Sequence, residues 1–224
     1  INLCLSEGLQ SVEEQNGQGL VRTDKGGEIP ADLVLVAIGV RPNVDLALNA
    51  NLELGVTGGI KVNEFMQTSD PDIFAAGDCI ETLNLVTGKP VLTPMGSAAN
   101  KEGRAAGANA LGRRIAVKGF TGTIIVKVFD LTVAKTGLSE REAIAEGYSP
   151  LVLYVQPGHH AGYYPGAKPL NIKTVTERES GRLLGAQIIG EEGVDKRVDV
   201  FATAIYHQMR LEDLLQLDLA YAPP

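Results

Sequence analysis

The sequence predicts an α/β segment followed by an α+β domain, and three observations support this fold class. Residues 33–39 are apolar without alternation, which is typical of a strand covered on both faces, as in a parallel sheet. A helix rich in glycine and alanine is predicted over residues 95–111. From residue 121 onward the predicted order is β-α-β-β-β-α, which suits an antiparallel sheet flanked by helices.

Composition and charge exclude several classes of function. The chain has 224 residues, 44% of them apolar, and its net charge of −7 gives no electrostatic footprint for nucleic acid or an anionic membrane. No apolar run approaches the ~20 residues that span a bilayer, and the first residues do not form a signal peptide. Two cysteines, Cys4 and Cys79, fit a reducing cytoplasm. We therefore expect a cytoplasmic protein without nucleic-acid or membrane partners.

The first part of the chain is predicted to contain short strands joined by tight turns. Asn16-Gly17 is a strong hairpin signal, and residues 24–27 form a second turn. Residues 58–62 and 73–75 are predicted to pair and to lead into a turn at Gly77-Asp78. Alternating or apolar runs predict strands at residues 1–5, 9–14, 20–23, 33–39, 58–62 and 73–75.

The helix over residues 95–111 is predicted to begin at a threonine–proline pair. Thr93 is expected at the N-cap and Pro94 at the first helical position. The many small residues of its body suit a helix pressed closely against a neighbour or a flat ligand. Its N-terminus carries free N–H groups and a positive partial charge. The residues alone leave two interpretations open, a ligand contact and a tight helix–sheet contact.

A boundary is predicted near residues 113–119, and the pattern after it is that of a second domain. A short helix is expected between a capping box, Ser139 with Glu142, and a stop at Gly147. A longer helix over residues 194–209 has one apolar face. Strands are predicted at residues 121–133, 151–156, 170–177 and 183–189.

Residues 68–78, which read TSDPDIFAAGD, resemble the flavin-contacting signature of the pyridine nucleotide-disulfide oxidoreductases. In that family the glycine lets the backbone approach FAD, and the aspartate accepts hydrogen bonds from cofactor hydroxyls. The resemblance implies that Gly77 and Asp78 bind FAD. It also implies that the helix N-terminus, with Met95, Gly96 and Ser97, points at the electron-rich edge of the flavin.

The resemblance also implies a domain organisation. Residues 38–43, IGVRPN, resemble the signature at the crossing from the NAD domain to the FAD domain. We therefore expect the end of an NAD(P)H-binding domain over residues 1–45 and the C-terminal part of an FAD-binding domain over 46–115. Together they would be an incomplete Rossmann-like portion. Residues 116–224 are expected to be an α+β dimerisation domain that forms a homodimer.

Two features of the family's front half are missing from this sequence. There is no G-x-G-x-x-G before the flavin signature and no redox-active cysteine motif. The chain is therefore expected to be a C-terminal portion that cannot complete the reaction by itself. It is also expected to lack much of the affinity for FAD, because the pyrophosphate site contributes much of that binding energy.

A second conspicuous segment, residues 159–167, reads HHAGYYPGA. Adjacent histidines seldom bind one ion and no other ligand stands at metal spacing, so no metal site is predicted. Residues 163–166 and 220–224 resemble the branch of coenzyme A-disulfide reductases, persulfide or polysulfide reductases and NADH oxidases. The resemblance implies catalytic roles for Tyr163 and Tyr221 across the dimer, and it places Asn100 at the substrate channel. The alternatives are a solvated loop and, for Tyr221, an aromatic anchor of the tail.

The function that the resemblance implies is reduction of a small-molecule disulfide, persulfide or polysulfide, with coenzyme A-type substrates expected. NAD(P)H would supply hydride to FAD, and a cysteine upstream of this segment would carry the sulfur chemistry. One alternative is an NADH oxidase that reduces oxygen. An alternative of another class is a non-catalytic dimerisation or binding module, since fold alone does not fix function.

Overall fold

The computed structural model describes residues 2–220, which form two compact units. The first unit reaches to Arg41 and the second begins at Pro42. The strands form three sheets, one in the first unit and two in the second. Within residues 2–220, none of the helices combines the length and the apolar character that crossing a membrane requires.

The first unit is a three-stranded antiparallel sheet. Its strands are β1 (Leu9–Gln15), β2 (Gln18–Thr23) and β3 (Glu28–Ala31), in the order β1-β2-β3. The turn between β1 and β2 has positive φ angles of 56° at Asn16 and 80° at Gly17, as two-residue hairpins require. The predicted hairpin is therefore confirmed, whereas β3 was not predicted.

Two strand predictions in the first unit are wrong. Residues 2–5 form no strand, and residues 33–39 lie outside the three-stranded sheet. Leu33 and Leu35 are each 86% exposed. A strand needs neighbours for its backbone groups and its two faces, and no described strand pairs with residues 33–39. Apolar character alone therefore did not determine a strand here.

The first part of the second unit carries a small mixed sheet. Strand β4 pairs parallel with β5, and β5 pairs antiparallel with β6. A cluster of buried residues includes Ile60 of β4 and Ile80 of β5. The elements are α1 (Asp45–Asn49), β4 (Ile60–Lys61), β5 (Ile80–Leu83) and β6 (Pro90–Leu92).

The predicted pairing of residues 58–62 with residues 73–75 is wrong. Residues 73–75 instead fold back on the residues just before them, because Phe74 bridges to Gln67 and the Ala75 N–H donates to the Met66 carbonyl. The partner of β4 is β5, which comes after the Gly77–Asp78 turn. The turn therefore connects this local loop to the central strand of the small sheet.

The long helix α2 (Gly96–Ala110) lies close to its predicted range but begins later than predicted. Its N-cap is Met95, and Thr93 lies outside the helix with its hydroxyl 3.1 Å from the Thr82 hydroxyl. The prediction of Thr93 as N-cap is therefore wrong. The buried side chains of α2 recur every three or four residues, at Ala98, Glu102, Ala105 and Asn109.

The second part of the unit is a five-stranded antiparallel sheet, whose strands lie in the order β7 (Ile124–Val128), β8 (Leu131–Gly137), β11 (Leu183–Gly190), β10 (Leu170–Glu177) and β9 (Pro150–Val155). The capping box of Ser139 and Glu142 is confirmed at the start of α3 (Glu140–Ala145). The strand predicted over residues 121–133 is instead two strands, because Phe129 has a φ of 53° and the chain reverses there. The helices that follow the sheet strands are α4 (Val194–Tyr206) and α5 (Leu211–Leu214).

Helix α4 covers one face of this sheet. It contacts β8 and β11, and its apolar face buries Val194, Val198 and Ile205. It ends at Tyr206, three residues before the predicted end. The α/β portion followed by an α+β domain is confirmed as the fold class.

Candidate functional site

The Gly77–Asp78 turn is the first component of the candidate site. Gly77 has a φ of 88°, a conformation that favours glycine. Its carbonyl oxygen accepts a hydrogen bond from the N–H of Ile80 at 3.1 Å. Asp78 is exposed at the tip of the turn, while Cys79 is half-buried with its sulfur 3.6 Å from the Ala76 carbonyl oxygen. The turn therefore presents a carboxylate outward and keeps the thiol against the backbone.

Glu102 lies behind this turn and was missed by the sequence analysis. Its Oε2 accepts a hydrogen bond from the Gly77 N–H at 2.8 Å, and the residue is only 1% exposed. Burial raises the pKa of Glu102, the hydrogen bond from Gly77 opposes this, and the nearby charge of Asp78 raises the pKa further. A carboxyl residue in a stripe of small helical residues, four positions after Ala98, was the signal available in the sequence.

The N-terminus of α2 is the second component. No side chain caps this end, and its first turn contains no acidic residue. Gly96 and Ser97 are exposed, Met95 is half-buried, and Asn100 is exposed one turn further on. The first N–H groups of the helix and its positive end are therefore available to an electron-rich ligand.

The turn and the start of α2 are neighbours. A Cβ atom placed on Gly77 would lie 3.6 Å from the Cβ of Ala99, and Glu102 bonds the turn one helical turn later. The structure thus brings Gly77 and the first turns of α2 together. The small side chains at the start of α2 leave room for a ligand beside the exposed carboxylate of Asp78. These features fit one wall of a flavin site, whereas a G-x-G-x-x-G phosphate loop is not present in the sequence.

The loop between β9 and β10 carries Tyr163 and is held in place by His159. The Nδ1 of His159 accepts a hydrogen bond from the Lys168 N–H at 2.9 Å, and its Nε2 lies 3.3 Å from a Glu192 carboxylate oxygen. Arg197 of α4 donates to the His159 carbonyl at 3.1 Å. Tyr163 projects from this loop and is 71% exposed.

His160 completes the packing of the loop. Its ring lies edge-on to those of His159 and Tyr164, with centroid distances of 4.1 and 5.6 Å. The two histidines therefore stabilise the loop through one another and through its backbone. Across residues 2–220, no group of three or more His, Cys, Asp or Glu residues could hold a metal ion.

The predicted site residues that lie within residues 2–220 do not form a single cluster there. No hydrogen bond or ring contact within residues 2–220 joins Tyr163 to the Gly77–Asp78 turn or to Asn100. Tyr221, the other tyrosine with a predicted catalytic role, lies outside the described residues.

A glycine–aspartate turn against a small-residue helix, followed in the chain by an antiparallel-sheet domain, is the arrangement that the resemblance to flavin-dependent oxidoreductases predicts. The family model described as pyridine nucleotide-disulphide oxidoreductase matches residues 1–102, and the model of that family's dimerisation domain matches residues 123–224. The chain belongs to the pyridine nucleotide-disulphide oxidoreductases. Proteins of this family are expected to bind FAD and NAD(P)H.

Several relatives match this chain over its full length. It is 43% identical over 224 residues to an NAD(P)H sulfur oxidoreductase (CoA-dependent) of Pyrococcus furiosus, covering all of this chain and 50% of that protein. It is 35% identical to an NADH oxidase of Methanocaldococcus jannaschii, covering 49% of it. The structure of an NAD-dependent persulfide reductase from A. fulgidus matches 98% of this chain and 41% of its own, with a TM-score of 0.93 and 43% identity. The chain spans about half the length of the curated relatives it matches.

Proposed function

We propose that the protein carrying this chain is an FAD-dependent NAD(P)H oxidoreductase that reduces a disulfide, persulfide or polysulfide. Coenzyme A-type substrates are favoured, because one similar protein is named CoA-dependent and another is named a persulfide reductase. We assign residues 1–45 to the end of an NAD(P)H-binding domain, 46–115 to the C-terminal part of an FAD-binding domain, and 116–224 to a dimerisation domain.

The observation that carries this proposal is the Gly77–Asp78 turn fixed against α2. Asp78 would accept hydrogen bonds from cofactor hydroxyls, and Gly77 would allow close approach of the backbone. Met95, Gly96 and Ser97 would place the positive helix end at the electron-rich edge of the flavin. FAD held by these residues would supply two-electron redox chemistry between NAD(P)H and sulfur.

Tyr163 and Tyr221 are proposed to act on the sulfur substrate. A tyrosine phenol is neutral at pH 7 and can donate a hydrogen bond to a thiolate or a developing sulfur anion. The exposed position of Tyr163 on a well-anchored loop supports a role at a second subunit of a homodimer. Asn100 is proposed to face the substrate, and the reactive cysteine would lie N-terminal to this segment.

Two alternative functions are also considered, of which the oxidase is favoured by a specific observation. The relative from Methanocaldococcus jannaschii is named an NADH oxidase, so oxygen is the second candidate acceptor. A non-catalytic dimerisation module would also have the same sheet domain.

We also propose a cytoplasmic location, which is supported by two free cysteines, Cys4 and Cys79.

The test uses the native protein that contains this chain, purified as expressed. We expect a visible flavin absorbance band that NADH or NADPH bleaches without oxygen. Coenzyme A disulfide, coenzyme A persulfide and oxygen are then compared as reoxidants of the bleached protein. Faster reoxidation by the sulfur compounds supports the proposal, and faster reoxidation by oxygen supports the oxidase. A full-length protein without flavin would support the non-catalytic module.

A substitution separates the sulfur step from the flavin step. Tyr163→Phe removes the phenol hydroxyl group, so we expect reoxidation by the sulfur substrate to slow by about 10²-fold, a typical contribution of a general acid. Bleaching by NAD(P)H should keep its rate. Tyr154→Phe is the matched control, because Tyr154 is an equally exposed tyrosine on β9. Equal reoxidation rates for the native protein and the Tyr163 variant would remove Tyr163 from the mechanism.

A further inference from the structure

Glu102 is the buried ionisable side chain that contacts the candidate flavin site from behind. Its Oε2 accepts the hydrogen bond of the Gly77 N–H, while its buried Oε1 has no hydrogen-bond partner within residues 2–220. The neighbouring buried positions of α2 in the same stripe are Ala98 and Ala105. A carboxyl group among alanines is therefore a departure from the pattern of this helix face.

Leaving a buried polar atom without a partner lowers stability by about 1–3 kcal/mol. An apolar side chain of similar volume would avoid that loss. Each such exception in a native structure calls for an explanation. The partner that Glu102 does have, the amide of Gly77, belongs to the turn that carries Asp78.

The two backbone groups of Gly77 have separate partners. Its N–H is held by Glu102 at 2.8 Å, and its carbonyl oxygen is held by the N–H of Ile80 at 3.1 Å. Gly77 is also the residue with the greatest conformational freedom in the turn. Without the Glu102 carboxyl, the peptide between Ala76 and Gly77 could rotate, and the orientation of Asp78 would change with it.

We propose that Glu102 is a positioning residue: its carboxyl fixes the Gly77 amide and thereby holds the Asp78 carboxylate in the orientation that receives the cofactor. This inference rests on the proposed function, because it deepens the assignment of the turn to FAD. Glu102 itself is buried beneath the turn and does not contact the cofactor.

The positioning role of Glu102 does not require its carboxyl to be charged. Burial is the largest influence that raises the pKa of Glu102, and the charge of Asp78 acts in the same direction. A neutral Glu102 still accepts the Gly77 hydrogen bond through Oε2, and its proton would reside on Oε1. The carboxyl can therefore hold the turn without adding a second negative charge behind Asp78.

The experiment compares two variants of similar size in the native FAD-loaded protein. Glu102→Gln keeps a carbonyl oxygen for the Gly77 N–H, whereas Glu102→Met fills the same space without an acceptor. Hydrogen exchange of the Gly77 amide and the dissociation constant of FAD are measured for both. Glu64→Gln is the control, because it makes the same chemical change at an exposed position.

We expect Glu102→Met to speed exchange of the Gly77 amide and to weaken FAD binding, each by about tenfold, as for the loss of one ordinary hydrogen bond. Glu102→Gln should keep the exchange rate and the dissociation constant of FAD within about twofold of the native values. Unchanged exchange and affinity in Glu102→Met would overturn the positioning role while leaving the proposed function intact. If the native protein bound no FAD, the proposed function would fail, and the exchange measurement would still show whether Glu102 holds the turn.

Discussion

A buried carboxyl such as Glu102 is expected to make the stability of the fold depend on pH. In the unfolded chain its pKa lies near the ordinary value of 4.5, and in the folded protein burial and the charge of Asp78 raise the pKa. The folded state therefore binds the proton more tightly than the unfolded state. The stabilising contribution of the proton is fully present below pH 4.5 and is lost as the pH rises through the raised pKa.

The predicted pH dependence of stability can be measured by urea unfolding over a series of pH values. Glu102→Gln is neutral throughout, so the native protein should lose stability relative to this variant as the pH rises from 4.5 through the raised pKa, and the difference should stay constant above it. A tenfold difference in acidity between the two states corresponds to about 1.4 kcal/mol. If the stability curve of Glu102→Gln instead ran parallel to that of the native protein, Glu102 would have the same pKa in both states.

At the scale of the element, two glycines in regular structure are expected to respond oppositely to alanine. A Cβ atom on Gly185 of β11 would lie 1.9 Å from the backbone carbonyl oxygen of Leu138, so the strand would have to move. On α2, a Cβ atom on Gly107 would meet no atom within 4 Å. Gly185 is therefore required for packing. Gly107 has no such requirement and only lowers the stability of the helix, because glycine loses more backbone entropy on folding than alanine does.

We therefore predict that Gly185→Ala lowers the free energy of unfolding by about 2 kcal/mol, as expected for overpacking in a core. Gly107→Ala should raise it by about 0.5–1 kcal/mol, the helix-propensity difference between glycine and alanine. Thermal and urea unfolding of both variants would measure the effects. A destabilised Gly107→Ala would mean that in the native protein this face of α2 is closely packed.

The elements differ in how far the sequence could predict them. Strand β10 was predicted with its observed bounds, Leu170–Glu177, because a clear apolar pattern and the turn near Gly181 mark its limits. The reversal at Phe129 was missed, since it places a bulky aromatic residue at positive φ where glycine or asparagine is expected. Thr93 was expected to cap α2 but instead bonds to Thr82, a partner that only the folded sheet brings near.

At the scale of the whole molecule, the site could be predicted where it depends on local signals. The Gly77–Asp78 turn was identified from eleven consecutive residues, and its geometry agrees with a glycine at positive φ. Glu102 was missed because its role arises from a contact across 25 positions of sequence. The failed strand at residues 33–39 has the same cause, since a strand depends on neighbours that a local pattern does not specify.

The five-stranded sheet also leaves apolar side chains uncovered on the face away from α4. Val126 pairs with Val133, and Val133 pairs with Ile189, so the three form a row across β7, β8 and β11. Val126 is 55% exposed and Ile189 is 42% exposed. Ile188, the next residue on β11, is fully buried, as expected when side chains alternate between faces. An exposed apolar row of this kind marks an association surface.

We predict that this row forms part of the homodimer interface of the native protein. Ile189→Lys should place a charge in the interface and favour the monomer. The dissociation constant of the dimer should rise at least tenfold, since desolvating an unpaired charge costs more than about 1.4 kcal/mol. Val56→Lys is the control, because Val56 is an apolar residue 89% exposed in a loop outside the five-stranded sheet. Light scattering across a dilution series would measure the molar mass, and circular dichroism would verify the fold. If Ile189→Lys remained as dimeric as the native protein and Val56→Lys, the second subunit would have to bind elsewhere.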